Sequence, residues 1–140
     1  MTVSARFALS LALLAVLCVG CEGSRVGATV PVTGKVLADG QALTTGSVAF
    51  HPEDPAGLVP GGTIDAQGNY ELFVEGKKGA PAGKYKVTVV SQPMVDSSKA
   101  SEPPPPSPVN SMFNSAGTTP LNIEVKEGAA PGAYDLKVNK

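Results

Sequence analysis

Between residues 83 and 90 the chain reads Gly-Lys-Tyr-Lys-Val-Thr-Val-Val, with Tyr85, Val87 and Val89 alternating against Lys84, Lys86 and Thr88. A period of two is what a strand with one buried face requires. Pro81-Ala82-Gly83 opens this strand as a turn, and Gln92-Pro93 closes it. The same alternation recurs along the chain. Val32–Ala38 predicts a first strand with Gly34 and Val36 inward and Lys35 outward, and Asp39-Gly40 predicts a two-residue hairpin turn whose central positions tolerate positive φ. Gln41–Thr45 returns the chain to a bend at Gly46, and Ser47–His51 places Val48 and Phe50 inward. Pro52–Pro60 reads as a loop, Thr63-Ile64 as a short strand, and Asp65–Asn69 as a tight turn. Tyr70, Leu72 and Val74 then resume the alternation. Leu121, Ile123 and Val125 repeat it late in the chain, and Tyr134, Leu136 and Val138 close it.

These segments predict an all-β domain: an antiparallel two-sheet sandwich of about seven strands, following an N-terminal signal helix. Composition agrees, since 16 glycines and 13 prolines in 140 residues suit short elements joined by tight turns. About sixteen sizeable inward side chains, at roughly 1.5–3 kcal/mol each, support one core and leave nothing for a second. Residues 91–120 differ: they lack apolar periodicity, and Pro103–Pro106 with Pro108 predicts an extended polyproline II stretch. This irregular insertion is either a solvated loop or a pre-ordered surface for an aromatic groove on a partner. Met112 and Phe113 follow it, placed either to pin the loop or to meet that partner.

The N-terminus has a different pattern. Arg6 precedes Phe7–Val19, an apolar run interrupted only by Ser10 and Cys18. About thirteen residues is too short to span a bilayer and suits a signal-peptide core. The run ends Leu17-Cys18-Val19-Gly20-Cys21, which resembles the lipobox of bacterial lipoproteins: a small residue, here Gly20, precedes a cysteine that becomes the lipidated first residue. Cys18 stands where that pattern usually has leucine, and Leu17 lies one position earlier. The expected organisation is a signal peptide over 1–20, a lipidated tether over 21–30 and the sandwich over 31–140. Cys21 as an ordinary cysteine after a secretory signal, and an uncleaved anchor helix, are the alternatives. Acyl chains on Cys21 would hold the protein to a membrane, since each buried methylene contributes about 0.8 kcal/mol. The expected location is therefore the cell envelope, on the periplasmic or outer face.

Charge and chemistry exclude more than they assign. Basic and acidic residues nearly balance, 11 against 12, and among the basic ones only Lys77-Lys78 are adjacent, so no phosphate-neutralising surface for nucleic acid is expected. Both cysteines precede the body, which excludes a disulfide framework and a thiolate metal site within it. His51 is the only histidine, so one chain cannot build a multi-histidine zinc site. Beside Pro52, Glu53 and Asp54, it reads as a solvated residue at a strand end. Asp65, Gln67 and Asn69 around Gly68 offer oxygens to calcium only if Glu53 or Asp54 approaches; a turn stabilised by its own Asp and Asn explains the same residues. No G-x-S-x-G elbow is present. No catalytic residue, cofactor or metal is expected.

Taken together, Thr33-Gly34-Lys35-Val36, Asp39-Gly40-Gln41-Ala42-Leu43, Gly46–Phe50, Asp65–Tyr70 and Pro81–Val87 resemble the carboxypeptidase regulatory-like domain family. The likeness covers Pro31–Val90, with Thr119–Val125 similar to a late strand of short bacterial lipoproteins that carry this domain. It implies a transthyretin-like (prealbumin-like) β-sandwich, related in shape to immunoglobulin-like sandwiches. In the carboxypeptidases the domain is an accessory to a separate zinc enzyme, and no such enzyme portion is present in this sequence. Hydroxyisourate hydrolases share the architecture but rely on paired histidines, an arginine and a tyrosine-rich tail. Beyond the leader this chain offers only His51 and Arg25, and it ends Asp135–Lys140. The resemblance thus implies a small surface or periplasmic lipoprotein without an assigned activity. With the residues above, the expectation is a non-enzymatic binding or structural module, with recognition of an envelope glycan or protein through end loops and the proline-rich segment as the alternative and a transthyretin-type hydrolase as a third.

Overall fold

The computed structural model describes residues 26–91 and 106–140. The expected signal helix, Cys21 and Pro103–Pro105 lie outside the described residues.

Ten short strands form two sheets over one core: β1 (Thr33–Ala38), β2 (Gln41–Ala42), β3 (Ser47–Pro52), β4 (Gly61–Thr63), β5 (Asn69–Glu71), β6 (Phe73–Val74), β7 (Lys77–Lys78), β8 (Gly83–Val90), β9 (Asn122–Val125) and β10 (Leu136–Val138). The larger sheet runs β7-β6-β4-β3-β8-β9, every neighbour antiparallel. The smaller centres on β1. Its one edge is shared by β5 and β2: Val36 donates its N–H to Gly68 and accepts from Leu43 on the same side. On its other edge β10 pairs in parallel, Val36 with Leu136 through Ala38 with Val138. That parallel pair departs from the all-antiparallel expectation. The count exceeds seven because the predicted Tyr70–Val74 strand divides between the sheets and the Lys77-Lys78 pair adds a strand.

Alternation places the core as expected. Val48, Phe50, Tyr85, Val87 and Val89 from β3 and β8 meet Val36, Tyr70 and Leu136 from the facing sheet, all buried. The Phe50 ring is tilted against Tyr70 and Tyr85, with centroids 6.3 and 5.8 Å away, a favoured arrangement for aromatic pairs. The Asp39-Gly40 turn has positive φ at both residues (50° and 84°), matching the right-handed twist of its flanking strands. Between Glu71 and Phe73 the chain crosses from the small sheet to the large one. Leu72 lies fully buried at the crossing and donates its N–H to Val32.

Thr88 corrects the sequence reading. Expected on the solvated face of β8, it is buried, and the His51 side chain reaches its hydroxyl diagonally across the β3–β8 ladder. Within the irregular segment, Val109 and Phe113 enter the core around a 3-10 turn at Ser111–Asn114, while Met112 stays exposed. Phe113 therefore pins this part of the chain to the sandwich. Thr119 donates its hydroxyl to the Val87 carbonyl and leads the chain into β9.

Candidate functional site

The large sheet carries an open groove of about 750 Å³ beside the junction with β5. It arises from what the sequence omits. Outward positions on β3 are the small Ser47 and Ala49, and β4 contributes Gly61 and Gly62. Gly62 has no room for a side chain, since a Cβ there would collide with the Glu71 carbonyl where β4 passes β5. Phe73, 41% exposed, forms the apolar wall. Glu71 stands next to it and accepts from the Lys78 ammonium at 2.9 Å, and that ammonium lies 6.0 Å from the Phe73 ring centre. The pair is solvated, so it contributes under about 1 kcal/mol.

The polar side of the groove is the Asp65–Asn69 turn. One Asp65 oxygen accepts from the backbone N–H groups of Gln67 and Asn69 at 2.9 and 2.8 Å, and the other accepts from the Asn69 amide at 3.1 Å. Hydrogen bonds from the Asn69 backbone and side chain, followed by that from Gln67, hold the carboxyl below its usual value. These bonds direct both carboxylate oxygens into the turn, as an Asx-type turn does. Glu53 and Asp54 do not join it: Asp54 instead accepts from Ala56 N–H within its own loop. Among the described residues no three His, Cys, Asp or Glu side chains are grouped to hold a metal ion.

His51 is half-buried and outside the groove, with Nε2 3.0 Å from the Thr88 hydroxyl. That hydroxyl also lies 3.4 Å from the Ala49 carbonyl, so the imidazole belongs to a small polar cluster on the sheet face. The groove presents hydroxyls, an amide and the carboxylates of Asp65 and Glu71 beside an aromatic ring: groups for contact, without a nucleophile paired to a base. Sequence reasoning missed it. The available signal was Leu72-Phe73-Val74, three apolar residues in a row where alternation demands a polar one.

The N-terminal strap is the second surface of interest. Val26 is buried, and its carbonyl accepts from the Lys77 ammonium at 2.9 Å. Val30 exchanges both backbone hydrogen bonds with Ala80. Gly79 permits this approach, because a Cβ there would strike the Val30 carbonyl. No protein-family model, curated protein or solved structure matches the chain.

Proposed function

We propose that this protein is a lipid-anchored, non-enzymatic β-sandwich of the cell envelope, held to its membrane through acyl chains on Cys21 and serving as a binding or structural module. The observation that carries the reading is the apolar run Phe7–Val19 ending at Gly20-Cys21, followed directly by the polar Glu22-Gly23-Ser24. A run of that length fits export rather than spanning, and a small residue before cysteine fits lipidation. The non-enzymatic part is supported by the only histidine lying against Thr88 and by the Asp65 carboxylate being directed into its own turn. The carboxypeptidase regulatory-like resemblance supports the same reading: its motifs are turn residues and core alternation, which serve a scaffold.

The test is Cys21→Ser in the full chain. The variant should leave the membrane fraction, or remain there as an unprocessed, slower-migrating precursor. A variant that fractionates and migrates like the parent would overturn the anchor.

A further inference from the structure

We propose that the β6–β7 edge is the lipid-facing edge of the sandwich, with Phe73 and Lys78 meeting phospholipid headgroups. The inference rests on the Cys21 anchor and adds to it an orientation and a contact surface. Its first support is chain length. Four residues, 22–25, lie between Cys21 and Val26, so five Cα–Cα steps give a reach of at most about 18 Å even when fully extended. That upper bound is less than the width of the larger sheet, five strand spacings or about 24 Å from β7 to β9. The point where the strap enters the body is therefore drawn against the bilayer surface. That point is fixed, because Val26 is buried and bonded to Lys77 of β7, and Val30 is bonded to Ala80 just beyond it.

The second support is the chemistry of that edge. β7 is the outermost strand of the large sheet, and Phe73 and Lys78 sit directly opposite each other on the exposed face of the β6–β7 pair. Phe73 is one of three large apolar side chains exposed among the described residues. An exposed ring beside a lysine suits the membrane interface: the ring enters the acyl boundary, and the Lys78 ammonium exchanges its solvated pair with Glu71 for a phosphate at headgroup level. The opposite edge, β9, lies five strand spacings away, about 24 Å across the sheet. It presents Asn122 and the Glu124–Lys126 pair, without an exposed large apolar side chain among the described residues.

The experiment uses the full lipidated chain in vesicles of zwitterionic and anionic phospholipid carrying nitroxide-labelled headgroups. A fluorophore is attached through Glu75→Cys at the β6–β7 turn or, separately, through Glu124→Cys on β9. Quenching at position 75 should exceed that at 124 by about twofold or more, as a tether shorter than the domain requires. Adding Phe73→Ser and Lys78→Glu should lower quenching at 75 toward the level at 124. Equal quenching at the two positions in a chain that floats with the vesicles overturns the orientation and leaves the anchor standing. A parent chain that fails to float removes the anchor, and the orientation with it. Unchanged quenching at 75 after the double substitution removes the headgroup contact.

Discussion

At the scale of single residues, the join between the end of the chain and its beginning is closed by Gly34, Tyr70 and Tyr134. Tyr70 donates its hydroxyl to the Tyr134 carbonyl, and Gly34 lies so close that a Cβ would collide with that carbonyl and with the Tyr70 ring. Gly34→Ala should therefore cost about 1–3 kcal/mol, the usual range for overfilling a packed site. Tyr70→Phe keeps the ring but leaves the Tyr134 carbonyl without its donor, at about 1–2 kcal/mol. Both losses are read from urea midpoints at unchanged slope. Burial, with smaller contributions from Asp135 and Tyr134, pushes the Tyr70 hydroxyl above its ordinary value, and burial pushes Tyr85 the same way. A folded pKa above the unfolded one means the folded state keeps its proton longer. The stabilisation is complete below about pH 10 and is lost as pH rises toward the folded value, at up to ~1.4 kcal/mol per pH unit for each such tyrosine. Tyr70→Phe should flatten that alkaline decline; an identical decline in the variant would show that Tyr70 does not contribute to it.

At the scale of elements, alternation and turn residues carried much of the architecture, and their limits are physical. β3 and β8 were legible because Val48 and Phe50 on one, and Tyr85, Val87 and Val89 on the other, are buried at alternate positions, and the Asp39-Gly40 hairpin because its turn needs two residues at positive φ. The crossing at Leu72 was hidden: both sheets bury their inner faces in the same core, so Tyr70, Leu72 and Val74 alternate whether or not the chain changes sheet. The direction of β10 was hidden too, since inward residues at every second position suit a parallel or an antiparallel neighbour. Thr88 is bonded to a side chain from another strand, and the groove is made by absent side chains at Gly61 and Gly62. Neither leaves a periodic trace. Leu136 tests the β10 assignment directly. It is buried opposite Val36, so Leu136→Ala should cost about 2–5 kcal/mol by thermal or urea unfolding, against under about 0.5 kcal/mol for Lys137→Ala on the solvated face. The Asp65 turn makes a different prediction. Its carboxylate is already bonded to Gln67 and Asn69, so millimolar calcium should leave the thermal midpoint unchanged while Asp65→Ala lowers it.

At the scale of the whole molecule, the chain's late residues bind both sheets into one body. After the irregular segment the chain supplies β9 to the outer edge of the large sheet and β10 to the outer edge of the small one. Asn110 donates its N–H to the Asn139 carbonyl, and Val109 and Phe113 join the shared core, so the segment before β9 is stitched to the strand that ends the fold. Neither sheet can lose its partner without exposing the faces of Phe50, Leu72, Val87 and Leu136, all fully buried between them. Such mutual dependence makes partial unfolding costly, and a body of this size should unfold in one step. The three tyrosines allow a direct check, since Tyr70 lies on the small sheet, Tyr85 on the large one, and Tyr134 beside β10. Near-ultraviolet dichroism of these rings and far-ultraviolet dichroism of the backbone should follow one thermal transition in the Cys21→Ser chain. Two separated transitions would mean that the sheets are stable independently, and that the core does not couple the β6–β7 edge to the rest of the sandwich.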